Sequence, residues 1–270
     1  MAIDLHVHTT ASDGVFSPRE VVILAKRASL DAIAVTDHDS VDGLEQALQE
    51  GEDRGLLVIP GVELSSDADG TDVHILGYFV DWRSDALRQR LEALRDARRL
   101  RAERMVEALT KGGYPLTLQD VLRQSGEGAI GRAHIGRALV DVGHADNMRD
   151  AFEHFIGHGG PFYVKKPLAH PREVCRVIVE AGGLPVLAHA AVSHAEGLVP
   201  ELVDAGLVGI EVYHSEHDAA ARARLLALAE AYRLLVTGGS DFHGHRGGVE
   251  IGVADVPTAL LEPLMLAVRH

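Results

Sequence analysis

Two histidines, His6 and His8, stand two residues apart at the end of the short apolar run Ile3-Asp4-Leu5-His6-Val7. Strand side chains alternate faces, so both imidazoles leave the same face and can grip one cation. Alone, a His-x-His pair is as readily an ordinary strand end. A second pair, Asp241 and His243, follows another apolar run, and Asp13, His38, Glu63, His74 and His189 lie between, each at or beside an apolar stretch. These nine nitrogen and oxygen donors point to a multinuclear metal centre rather than one structural ion. Imidazole and carboxylate without thiolate suit Mn, Fe or Zn, and Mg less well. The set could hold three divalent ions and leave positions open for water and substrate, the mark of a catalytic site. A metal-activated hydroxide would then be the nucleophile, with adjacent ions stabilising a transferring phosphoryl group.

Such donors need rigid strand ends to carry them. Apolar runs at Ala32–Val35, Leu57–Ile59, Val73–Val80, Leu184–Ala188, Val208–Ile210 and Leu234–Val236 read as further strands. Ser17-Pro18-Arg19-Glu20 opens a helix with a capping box and a proline at its first position. Helical patterns also cover about 43–54, 171–181, 196–205 and 218–232. Strand and helix alternate, which predicts a parallel sheet with its functional groups at strand carboxyl ends. Ligands from both the first and the last strand favour a closed barrel, with an open doubly wound sheet as the alternative. The alternation lapses over 82–160, which reads as an inserted helical subdomain, leaving 1–81 and 161–270 as the metal-binding barrel.

The sequence has 270 residues, 46% of them hydrophobic, which suffices for one domain with a sizeable aliphatic core. Its one cysteine, Cys175, excludes an internal disulfide and a thiolate zinc cluster. A net charge of −14 argues against stable duplex-DNA or anionic-membrane binding, though bound cations would reverse the local sign for a phosphate substrate. No basic leader or long apolar run is visible near the start, so a cytoplasmic setting is expected.

The ordered motifs DLHVHTTASDG, AVTDHDSVDG, PGVELS, VHILGYF, GRAHIGRAL, AGGLPVLAH and GGSDFHG together resemble the polymerase-and-histidinol-phosphatase (PHP) family. The likeness is to its small stand-alone phosphoesterases, among them 3',5'-nucleoside bisphosphate phosphatases and 5'-to-3' exoribonucleases acting on short RNA. It implies an α/β fold, a distorted (β/α)7 barrel with an inserted helical subdomain, and a trinuclear centre. By resemblance, His6, His8, Glu63 and Asp241 hold one ion, Glu63 bridges to a second held by His74 and His189, and Asp13, His38 and His243 hold the third. Ala190 departs from the proline usual after the His189 position. Arg132 and His134 in GRAH would reach the substrate phosphate, and Lys165 and Lys166 either line that pocket or form a solvated pair. His214, beside Glu211 and His217 at another strand end, is either the leaving-group acid beside catalytic Glu63 and Asp241 or a supporting histidine.

The expected activity is hydrolysis of phosphate esters in small nucleotides, either 3',5'-bisphosphates or short 5'-phosphorylated oligonucleotides. Histidinol-phosphate phosphatase is the alternative, and a non-catalytic metal-binding module a more distant one. Eight arginines between Arg83 and Arg104 form either a solvated, ion-paired helix or a rail for an oligonucleotide backbone.

Overall fold

Strands buried on both faces need partners along each edge and layers above and below. The structure, a computed structural model, describes residues 2–126, 130–165, 168–245 and 247–268. Its elements run β1 (Ile3–Val7), α1 (Pro18–Arg27), β2 (Ala32–Val35), α2 (Leu44–Arg54), β3 (Leu57–Ala68) and β4 (Thr71–Tyr78). A helical stretch follows: α3 (Asp85–Lys111), α4 (Leu118–Ser125), α5 (Arg132–Asp141) and α6 (Met148–Ala151), the last continuing as a π-turn over Phe152–Ile156. Then come α7 (Pro171–Glu180), β5 (Leu184–Leu187), α8 (Val199–Val203), β6 (Gly209–His214), α9 (Ala219–Tyr232), β7 (Leu235–Gly239) and α10 (Leu261–Ala267).

The seven strands pair in sequence order. The ends of that sheet meet: Val7 bridges Phe242 in parallel, the Asp241 N–H donates to the His6 carbonyl at 3.0 Å, and the His8 N–H donates to the Phe242 carbonyl at 2.9 Å. This makes a nearly closed barrel. Gly239 permits the approach, since a Cβ there would stand 2.3 Å from the His6 Cβ. Ile3, Leu5, Ala32, Ala34, Ile59, Leu76, Tyr78, Val186 and Ala188 fill one aliphatic core, within which the Tyr78 hydroxyl donates to the Leu5 carbonyl.

The uniformly parallel sheet expected from strand–helix alternation is interrupted at β4, which runs antiparallel to both β3 and β5. Asp69 and Gly70, both at positive φ, form a two-residue turn between β3 and β4, far too short for a crossover helix. The chain divides into two compact units, one of Met1–Arg90 with Leu168–His270, the other of Leu91–Pro167. The second has a core of its own, in which Met105 and Leu109 of α3 pack with Val121, Ile135, Leu139 and Ile156.

Candidate metal centre

Glu63 lies inside β3, where the chain passes beside the end of β2: the Glu63 N–H donates to the Asp37 carbonyl and the Asp39 N–H to the Glu63 carbonyl. Its side chain is wholly buried, and its two oxygens face different histidines. Oε1 is 2.8 Å from His74 Nδ1 and 3.1 Å from His189 Nε2. Oε2 is 3.3 Å from His6 Nε2, 3.3 Å from His8 Nε2 and 3.0 Å from His38 Nδ1. Asp241 Oδ1 approaches His8 Nε2 to 3.0 Å and His6 Nε2 to 3.4 Å. On the far side of His8, Asp13 Oδ1 is 3.2 Å from His243 Nε2, and the His8 and His243 rings stack.

The loops carrying these groups are pinned by other buried carboxylates. Asp37 accepts from the Thr9 N–H and the Thr9 and Ser12 hydroxyls, holding the loop that ends in Asp13. Asp4 accepts from the Ser240 N–H and hydroxyl and from the Gly252 N–H, fixing the residue before Asp241. Glu211 of β6 accepts from His6 Nδ1 at 3.0 Å and from the His189 N–H at 2.8 Å. Two of the candidate ligands, His189 and Asp241, have positive φ, a conformation non-glycine residues hold only when the surroundings impose it. The sequence signal for Asp4 and Glu211 was available: each is an acid inside an apolar run that must be buried. Their partners were not, because they lie on distant strands.

The donor set fits cations. Three groups of side chains gather ligand atoms within 4.8 Å of one another: His6, His8, Glu63 and Asp241; His8, Asp13, His38 and His243; and His38, Glu63 and His74. His189 reaches the third group through Glu63 Oε1. Among the described residues, both ring nitrogens of His8 and Nδ1 of His38 are buried with no well-directed hydrogen bond, although carboxylate oxygens stand close by. Lone pairs converging off the hydrogen-bond axis suit a shared cation better than shared protons. His6 faces carboxylates from both nitrogens, yet a neutral imidazole has one proton to give.

Charge is finely opposed here. Burial would raise Glu63, Asp241 and Asp13, but the surrounding histidines hold all three well below the usual carboxylate range. Burial lowers His6, yet Glu211, Glu63 and Asp241 outweigh it and hold the ring well above the imidazole range. At His8 burial is likewise overcome by Asp241 and Glu63, and its pKa rises to about 10. At His38 burial prevails over Glu63 and Asp13 and pushes it down to about 4.

His214, also buried, accepts the Glu216 N–H at Nδ1, which assigns a ring proton to Nε2, 3.6 Å from Asp241 Oδ2. His217 donates Nδ1 to the Val212 carbonyl. Arg132, His134 and Lys165 belong to the second unit. Arg132 opens α5 with its guanidinium 5.6 Å from the Tyr163 ring centroid, and buried His134 accepts the Gly131 N–H at Nδ1. Lys165 is exposed, and Lys166 lies outside the described residues. Burial raises the Cys175 thiol to about 12, which leaves it a core residue rather than a nucleophile.

Residues 4–155 match the PHP domain family. A phosphoribosyl 1,2-cyclic phosphate 1,2-diphosphodiesterase of Eggerthella lenta is 35% identical, over 92% of this chain and 97% of its own length. The 3',5'-nucleoside bisphosphate phosphatase of Chromobacterium violaceum is 33% identical over 94% of this chain and 92% of its own. The 5'-3' exoribonuclease Rnm of Salmonella typhimurium is 32% identical over 92% and 87%. A solved structure from Bifidobacterium adolescentis, described as a metal-dependent phosphoesterase, superposes with a TM-score of 0.92 over 98% of this chain and 95% of that one, at 32% identity. This chain belongs to the PHP domain family. It is an enzyme, a metal-dependent phosphoric ester hydrolase.

Proposed function

We propose that the enzyme hydrolyses phosphate esters of small nucleotides, as 3',5'-bisphosphates or short 5'-phosphorylated oligonucleotides, at a three-ion centre of Mn, Fe or Zn. The observation that carries this reading is Glu63, whose two oxygens face separate histidine sets as a bridging ligand requires. In this reading His6, His8, Glu63 and Asp241 hold one ion, Glu63, His74 and His189 a second, and Asp13, His38 and His243 the third. Such ions supply Lewis-acid stabilisation of phosphoryl oxygens and ready deprotonation of water. Arg132, with its planar fork, is the candidate phosphate contact, and His134 and Lys165 of the same unit are further candidate substrate-binding groups. His214 holds its Nε2 proton on the Asp241 side of the centre, where a departing alkoxide can take it.

A cyclic phosphodiester of a phosphoribosyl group is a second reading, favoured by the 35% identity to the Eggerthella lenta enzyme across nearly its whole length. The test is hydrolysis by Mn-loaded protein, read by chromatography of the products, of a panel of 3',5'-bisphosphate nucleotides, short 5'-phosphorylated RNA, the cyclic phosphodiester and histidinol phosphate. A nucleotide substrate should be turned over fastest. Faster cleavage of the cyclic diester, or of histidinol phosphate, would replace the nucleotide assignment. Arg132→Ala should raise KM about 10- to 100-fold, the value of one charge-assisted contact worth about 1.5–3 kcal/mol.

A further inference from the structure

Glu211 is not among the candidate ligands, yet it is wholly buried and bonded to two of them. Burying an ionised carboxylate is costly, and an apolar side chain in the second layer of a site would avoid that cost. Both its oxygens are used. Oε1 accepts from His6 Nδ1, so a neutral His6 ring has its lone pair on Nε2, the nitrogen that faces Glu63 Oε2 and Asp241 Oδ1. Oε2 takes the peptide N–H of His189, a residue held at φ +28, whose Nε2 lies on the opposite oxygen of Glu63. One side chain therefore sets the tautomer of a ligand on one side of Glu63 and the backbone of a ligand on the other.

We infer that Glu211 is a positioning residue that holds the two cation sites sharing Glu63 in register, by fixing the His6 tautomer and clamping the His189 peptide. The inference rests on the metal-centre reading above. It has a geometric corollary. Gln at 211 keeps the shape but can accept through only one atom, so its amide hydrogens must confront either the His6 N–H or the His189 N–H. Glu211 then acts on both sites at once, unlike a partner that supports a single ligand.

The experiment titrates Zn2+ into metal-free wild type, Glu211→Gln and Asp241→Asn by calorimetry, and reads the His6 ring nitrogens of Zn-loaded wild type by 15N NMR. The expected result is a 10- to 100-fold loss of affinity in Glu211→Gln, the usual scale for residues that orient ligands. His6 should keep its proton on Nδ1. If Asp241→Asn binds Zn2+ as tightly as wild type, the metal-centre reading fails and takes this inference with it. If Asp241→Asn is weakened and Glu211→Gln is not, the inference alone is overturned. A weakened Glu211→Gln together with a His6 proton on Nε2 also overturns it, because the loss would then be structural. Should Glu211→Gln fail to fold, the wild-type spectrum decides: a proton on Nδ1 supports the role and one on Nε2 overturns it.

Discussion

Glu63 shows how much one side chain can be asked to do when nothing dilutes its charge. It is buried among five histidines, two at one oxygen and three at the other. Glu63→Gln removes the charge that balances them, and kcat should fall by about 100-fold with KM little changed, as for loss of a preorganised electrostatic group. Turnover is to be measured on protein whose metal content matches wild type by elemental analysis, and wild-type activity in such a sample would exclude bridging. His8 supplies a pH prediction. Its metal-free pKa is raised to about 10, so at pH 7 the ring is protonated, and a cation must displace that proton. Metal affinity should therefore increase with pH up to about 10, and binding heats should vary with the ionisation enthalpy of the buffer. Equal heats in phosphate and Tris would contradict this. His38, already neutral at pH 7 with a pKa of about 4, adds no proton to the count. The histidines and acids of this cluster were visible in the sequence because each ends or adjoins an apolar run. Glu211 and Asp4 were not legible as supports, since their partners are 205 and 236 positions away and only closure of the sheet brings them together.

Elements set what those residues can reach. Because β4 alone runs backwards, His74 near its start lies on the same rim as groups from the ends of parallel strands. The sequence marked β4 as a strand and His74 as a donor, but periodicity carries no strand direction, and the short Asp69-Gly70 turn was the only clue. A one-residue deletion in that turn would shift the β3–β4 register and send His74 to the opposite face. Gly239 is as tightly constrained: Gly239→Ala would drive a methyl into His6, costing about 1–3 kcal/mol by urea unfolding and lowering metal affinity with it. Unchanged stability would mean that β7 and β1 lie further apart. In α3 the arginines are partly committed within their own unit. Arg98 donates to the Ile130 carbonyl, Arg101 to the Val164 carbonyl, and Arg99 pairs with Glu103. Reversing Arg95, Arg98 and Arg101 to Glu should therefore harm mononucleotide and oligonucleotide substrates alike. A steeper salt dependence for oligonucleotides than for mononucleotides would instead favour a nucleic-acid rail.

At the scale of the molecule, a chain of net charge −14 works on anionic phosphate esters, so cations at the centre must reverse the local sign. Ligand binding stabilises the folded state by about 2.7 kcal/mol at 100 times Kd, so chelation should lower Tm by about 5–10 °C. A Tm indifferent to chelator would show that the cluster holds its shape without cations. Among the described residues no helix is long and apolar enough to cross a membrane. The barrel closes by joining β1 to the segment after β7, and so the first candidate ligands translated, His6 and His8, meet Asp241 and His243 only at the end. Until that segment is made, His6 and His8 lack the carboxylate and the imidazole that stand opposite them in the folded chain. A cation site that draws on both pairs therefore cannot be complete until translation has passed His243.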